Sequence, residues 1–433
     1  LTPPWEDIRM LSDDGLVDGG RTVIEVAVGP AHTQWISIHK DVQPGRRFVD
    51  EQVEGPFKTF VHHHIFAPID EQRSELREEI EYRLPLGGLG RLLGGSAVAR
   101  RLERMFAYRH ALLSDDLRRE TELGLRTLGP QKIAITGASG LVGRALTCLL
   151  TTAGHEVRAI VRHEGRGSDI AWNPDAGTIE RDKLVGLDAV VHLAGENIGD
   201  GRWSAAKKER IVQSRVRGTK LIAETLAGLQ GGPRTLVSAS AIGYYGSRTT
   251  PVDESAEVGS GFLAEVCHAW ETAADPARAA GLRVVHPRTG IVLTPAGGAL
   301  APMVAAFKTG LGGRIGAGEQ GMSWVAMDDL LAALHAMIIR SDLSGPVNVT
   351  APEPLDQATF ARVLGEVLGR PSVVPLPATA VRLALGERGE RLLLEGAIVE
   401  PKRLVGAGHR FSYPSLAGAL RHLLGLHDGV VAA

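Results

Sequence analysis

The chain has 433 residues, of which 44% are apolar and 23% charged, with a formal net charge of −2. That length exceeds one ordinary core and implies two or three domains, while the near-neutral balance lacks the basic footprint of a nucleic-acid binder, so no nucleic-acid partner is expected. Cys148 and Cys267 alone cannot frame a disulfide scaffold, no apolar run approaches the roughly 18 residues of a membrane span, and no basic-then-apolar leader opens the chain, so a cytoplasmic location is expected.

From Arg21 the residues alternate with period two. Ile24, Val26 and Val28 share one face, Trp35 to Lys40 follows the Gly29-Pro30 turn, and Phe48 to Val53 and Phe57 to Phe66 come next. Leu76, Ile80, Tyr82 and Leu84 alternate with Arg77, Glu79, Glu81 and Arg83, completing an antiparallel meander. After a glycine-rich stretch, Leu86 to Gly95, helical spacing takes over from Ala97 to Leu117, with Val98, Leu102, Met105, Phe106 and Leu113 on one stripe.

His62, His63 and His64 stand together on one of these strands. His63 faces opposite to the other two, and no Cys, Asp or Glu lies at ligand spacing nearby, so polar, pocket-lining strand residues are expected and no metal.

LTPPW, FVDEQVEGPFKTFVHHHIF, EYRLPLGGLG and FAYRHALLSDDL resemble the START-like, or SRPBCC, fold, in which an α+β helix-grip domain holds an apolar small molecule between sheet and helix. The resemblance assigns residues 1–120 to such a domain and implies an apolar ligand there. In that family a strand and one or two short helices precede the LTPPW position, and the chain opens at Leu1 rather than methionine, so a truncated N-terminal part is expected.

Residues 121–131 read as a linker closed by Gly129-Pro130, and strands then alternate with helices, the pattern of an α/β doubly wound parallel sheet of the Rossmann type. Its first unit is KIAITGASGLVGR, from Lys132 to Arg144: a strand, then Gly137, Gly140 and Gly143, then a helix. A helix opening there offers free N–H groups to an anion such as a pyrophosphate, so Gly137, Ala138, Ser139, Gly140, Leu141 and Val142 are expected to cradle it. At the end of the second strand, an NAD site would place an acid to bind the ribose hydroxyl. This chain has Arg162, whose cation suits the 2′-phosphate of NADP, so NADP is favoured over NAD.

GASGLVG, HLAGENI, SRVRGT, SASAIGYYG, GFLAEVCHAWE, PRTGIVL, SWVAMDD and VNVTAP resemble, in order, the epimerase-family branch of the extended short-chain dehydrogenase/reductases, to which a START-like domain is sometimes fused in front. The resemblance gives residues 132–375 to the nucleotide-binding domain with its substrate loops, and 376–433 to the C-terminal extension of the family. It implies that Leu193, Ala194 and Gly195 lie along the cofactor, that Arg215 reaches towards it, and that the substrate is a small carbonyl, alcohol or sugar-like compound.

The wider superfamily uses a serine, and a tyrosine with a lysine four residues later on one helix face, where the ammonium lowers the phenol's pKa from about 10 towards the working pH. Here the corresponding pairs are Phe262 with Val266, or Leu263 with Cys267, and neither transfers a proton at low cost. Ser240, Tyr244 and Tyr245 remain as catalytic candidates, with Glu265, His268 and Glu271 as further titratable groups, and Ala326 stands where the family usually shows a histidine. An NADP-dependent oxidoreductase or epimerase is therefore expected, with a catalytically silent NADP-binding sensor or scaffold as the alternative.

Overall fold

The computed structural model describes residues 2–29, 31–71, 73–85 and 87–426; Leu1, Pro30 of the expected turn, Leu86 and the end of the C-terminal extension, 427–433, lie outside the described residues. Two units emerge, Leu1–Leu112 and Leu113–Leu426.

In the first unit, six strands follow one another as an antiparallel meander: β1 (Ile8–Asp13), β2 (Arg21–Val28), β3 (Ala31–Gln43), β4 (Arg47–Glu54), β5 (Thr59–Pro68) and β6 (Ser74–Arg83). Period-two alternation had marked all but β1. That edge strand, IRMLSD, exposes nearly every side chain and breaks register between Met10 and Ser12, so its sequence carries no inside/outside pattern. Helix α1 (Gly87–Glu122) closes the unit and begins within the glycine-rich stretch that the sequence presents as a loop. The apolar face of the sheet and helix buries Val26, Phe60 and Tyr108. A cavity of about 600 Å³ lies among Ile24, Trp35, Phe57, Phe60, Met105 and Phe106.

The second unit takes the end of α1 from Leu113 and continues with the short helix α2 (Leu125–Leu128), then β7 (Lys132–Thr136), α3 (Leu141–Thr152), β8 (Glu156–Val161), β9 (Ile170–Asn173), β10 (Thr178–Ile179), β11 (Ala189–His192), α4 (Ala205–Ala227), β12 (Thr235–Ser238) and β13 (Ser240–Ala241). Next come α5 (Phe262–Thr272), α6 (Asp275–Ala279), β14 (Arg283–Thr289), β15 (Ile291–Leu293), α7 (Leu300–Lys308), β16 (Trp324–Ala326), α8 (Met327–Ile339) and β17 (Gly345–Val349). The core order β9-β8-β7-β11-β12-β14, with β17 beside β14, is parallel throughout.

Both faces of this sheet are covered, which is why its strands read as unbroken apolar runs. Ile133, Ile135, Val191, Val237 and Val285 pack with Leu146 and Leu150 of α3 and Leu330, Leu334 and Met337 of α8. Ala134, Val190, Leu236 and Val284 turn to the other side, against Ile222 and Leu226 of α4 and Ala277 of α6. Because β7 has β8 on one side and β11 on the other, the strand order reverses there, at the position where doubly wound sheets open a crevice. No helix among the described residues is long and apolar enough to cross a membrane.

Candidate functional site

The crevice is shaped by the turn that leaves β7. Gly137 sits at φ 69°, a left-handed conformation that a side chain would strain, and a Cβ there would lie 3.1 Å from the backbone of Leu193 and Ala194. At Gly143, in the first turn of α3, a Cβ would collide with the Gly137 carbonyl. These two glycines therefore bring helix, turn and the end of β11 together. Gly140 is the residue just before α3 and donates its N–H to the Gly137 carbonyl at 2.9 Å. Ala138, Ser139, Leu141 and Val142 complete the turn and the helix start, and Leu141 and Val142 pack on the core while Ser139 is exposed.

Thr136, which the sequence reading passed over, fixes the partner segment. Its Oγ1 accepts the backbone N–H groups of Leu193 at 3.0 Å and Ala194 at 3.1 Å, and lies 2.7 Å from His192 Nδ1. The signal was available: a threonine and a histidine at the carboxyl ends of adjacent buried strands need partners. Burial drives the His192 pKa down to about 3, so the ring is neutral. Arg162 follows directly after β8; it is exposed and makes no ion pair among the described residues.

Arg215, on α4, crosses to the same crevice. Its Nη1 donates to the carbonyls of Glu196 and Ile211, both at 3.1 Å, and its guanidinium stacks on Trp270 with Cζ 4.8 Å from the ring centre. A Cβ on Gly195 would stand 3.3 Å from that guanidinium, so the glycine makes room for it. Burial lowers the Arg215 pKa, against the pull of Cys267 and Glu196. Beyond Arg215 opens a pocket of about 290 Å³ walled mainly by apolar groups, among them Ile198, Ile242, Phe262, Leu263 and Ile291.

Both pairs offered by the sequence, Phe262 with Val266 and Leu263 with Cys267, line this pocket from α5, and none of the four carries a phenol or an ammonium. Cys267 is buried, and burial, helped by the Glu271 charge, pushes its thiol up to about 12. Ser240, Tyr244 and Tyr245 are not among the pocket's walls. Ser240 Oγ donates to Glu271 Oε1 at 2.7 Å, and Glu271 binds Arg288 through two bonds of 2.8 Å. Arg288 Nη1 donates to the Tyr245 hydroxyl at 2.9 Å, which donates in turn to Asn348 Oδ1 at 2.6 Å. The Arg288 guanidinium also stacks on Tyr244, 3.4 Å from its ring centre.

This network sets the protonation states. Burial favours a neutral Glu271, but Arg288 outweighs it and holds the carboxyl below its usual range. Burial raises the Tyr245 pKa despite Arg288, so its phenol stays protonated. Tyr244 and Arg248, four residues apart, do not form a phenol–cation pair: Arg248 Nε donates to the Tyr245 carbonyl at 2.9 Å. Glu265 and His268 are exposed on α5. Ala326 is fully buried ahead of α8. Arg288 was missed: it lies near the end of a buried strand, where a guanidinium requires an acid, but the acid lies on α5 and not beside it in sequence.

Residues 133–349 match the NAD dependent epimerase/dehydratase family. The chain belongs to that family. Residues 376–423 match a further model, the domain of unknown function DUF1731. The epimerase family protein Mb2239 of Mycobacterium bovis is 44% identical over 290 residues, covering 66% of this chain and 96% of the relative. The human epimerase family protein SDR39U1 is 35% identical over 299 residues, 68% of this chain and 99% of the relative. Among solved structures, the nucleoside-diphosphate sugar epimerase from Corynebacterium glutamicum superposes with a TM-score of 0.80 at 32% identity, over 99% of this chain and 85% of that one. Human SDR39U1, isoform 2, solved with NADPH, gives 0.62 at 32% identity over 67% of this chain and 98% of that one. The epimerase-family core is thus shared with many relatives, and the Corynebacterium protein matches the N-terminal unit as well.

Proposed function

We propose that the C-terminal unit binds NADP along the turn from Gly137 to Val142 and transfers hydride to or from a small carbonyl, alcohol or sugar-like compound seated in the pocket beside Arg215. One observation carries the reading: a glycine turn opens α3 at the point where the strand order reverses, and the cation Arg162 stands where an NAD site would hold an acid. The NADPH in the human relative at 32% identity supports the same cofactor. Leu193, Ala194 and Gly195 would bound the cofactor on the β11 side.

Bound nicotinamide supplies the hydride chemistry. The chain's own contribution is positional. Among the described residues no hydrogen bond holds Arg215 Nη2, so the guanidinium can meet negative charge on a carbonyl oxygen in an apolar pocket. Arginine holds its protons, so in this reading solvent supplies the proton when a carbonyl is reduced and takes it when an alcohol is oxidised.

A second reading, a catalytically silent NADP sensor, is favoured by the engagement of Ser240 and Tyr245 with Glu271, Arg288 and Asn348. Steady-state NADPH oxidation with a panel of aldehydes, ketones and nucleotide sugars separates the two: turnover lost in Arg215→Gln supports the oxidoreductase, and tight NADPH binding with no turnover across the panel supports the sensor.

For the N-terminal unit we propose a START-like domain whose cavity of about 600 Å³ takes an apolar small molecule, since a six-stranded meander and a closing helix bound it with aromatic side chains. Native mass spectrometry of the purified chain with added fatty acids and sterols checks this: a bound mass displaced in Phe60→Trp is expected, and no bound mass with any of them rejects it.

A further inference from the structure

The triple histidine of β5 acquires a partner that sequence spacing does not show. Asp50 of β4 pairs directly with His62 in the antiparallel register, and His64 lies two residues along on the same face. No Cys, Asp or Glu stands at ligand spacing beside these histidines in sequence, but strand pairing supplies an acid: ligand atoms of Asp50, His62 and His64 all lie within 4.8 Å of one another, and both histidines are buried.

We propose that Asp50, His62 and His64 form a binding site for a first-row divalent cation such as zinc, open on one side to the cavity of the N-terminal unit. Two imidazoles and a carboxylate are a common donor set for such ions when a coordination position stays open. Asp50 and His62 line the cavity, so the open position faces the space where a small molecule would sit. His62 Nε2 is buried and meets no hydrogen-bond criterion among the described residues, with Glu78 Oε1 in ion-pair range at 3.3 Å.

The surrounding groups support the donors as outer partners do in metal centres. His64 Nε2 faces Asp50 Oδ2 at 3.2 Å, while its Nδ1 lies 3.5 Å from Glu78 Oε1, a carboxylate on the side where the ring N–H of a metal-bound imidazole points. The other oxygen of Asp50 is held by His39 Nδ1 at 2.6 Å. Arg109 opposes a cation, but its Nη2 lies 3.6 Å from Glu78 Oε1, and Glu78 also accepts from His110 at 2.7 Å, so the acid screens the site from both. With two neutral imidazoles and one carboxylate, a divalent ion leaves a net positive charge at the cavity floor. The class of small molecule it favours is apolar with an oxygen donor at one end, such as a carboxylate.

The test is titration of the chelator-stripped full chain with Co²⁺ against an equimolar chromophoric chelator. One equivalent bound, with visible absorption stronger than the aquo ion, is expected; Asp50→Asn, His62→Gln and His64→Gln each weaken binding by at least about 10–100-fold, and His63→Gln, on the other face, does not. No absorption above the aquo ion, or equal binding in all four variants, overturns the site. Should a variant fail to fold, X-ray absorption of the wild-type chain with one equivalent of Zn²⁺ decides: two imidazoles with oxygen donors support the site, and any other imidazole count or a sulfur ligand rejects it.

Discussion

Arg288 and Glu271 meet in a buried, two-bonded ion pair, with Nε and Nη2 each 2.8 Å from a carboxylate oxygen. Side chains 3% and 11% exposed leave little water to compensate for the loss of either partner. Glu271→Ala is therefore expected to cost about 3–5 kcal/mol by urea unfolding, the range for stranding one charge of a buried pair. Ser240→Ala removes one hydrogen bond to that ionised acid and costs about 1.5–3 kcal/mol. Turnover abolished in a fully stable Ser240→Ala would instead place the serine in the chemistry.

Gly143→Ala is expected to lose NADPH binding together with at least about 1–3 kcal/mol of stability, the range for overpacking a core, because the new methyl group meets the Gly137 carbonyl. Gly140→Ala, whose Cβ would stand 3.2 Å from the same oxygen, is the milder change. Denaturation curves and cofactor titration of both variants check the order.

His192 gives the unit a pH dependence of known sign. Its pKa is about 3 in the folded chain and 6.5 when unfolded, so below pH 6.5 the unfolded state binds the extra proton and stability falls as pH falls towards 3. The slope from this residue reaches about 1.4 kcal/mol per pH unit. Thermal midpoints from pH 7.5 to 5 should drop less steeply in His192→Asn than in the wild type; parallel slopes would show that His192 does not set the dependence.

Arg215→Gln should lower kcat by about 100–1000-fold, the effect of removing one charge-stabilising donor, with NADPH affinity changed far less. A variant that loses cofactor binding and kcat in proportion would assign Arg215 to the nucleotide.

The apolar run Ile133 to Ile135, the glycine turn and the strand–helix succession made the doubly wound core legible, since both apolar runs and turn chemistry are local properties. Register between strands is not local. His62 and His64 were placed on one face by their spacing, yet Asp50 reaches them only through the β4–β5 pairing. The same limit hid the contacts of Arg288 with Glu271, 17 residues earlier, and of Tyr245 with Asn348, 103 residues later. Strand β1 went unread because its exposed edge carries no alternation, and the glycines at 87 and 88 marked a loop where α1 begins.

Nucleotide choice is the most direct test of the proposed function. Fluorescence titration of the wild-type chain with NADPH and NADH should show NADPH binding at least about tenfold more tightly, a difference of about 1.4 kcal/mol, and Arg162→Glu should remove or reverse that preference. Equal affinities in the wild type, or a preference untouched by Arg162→Glu, would contradict an NADP site built on the end of β8.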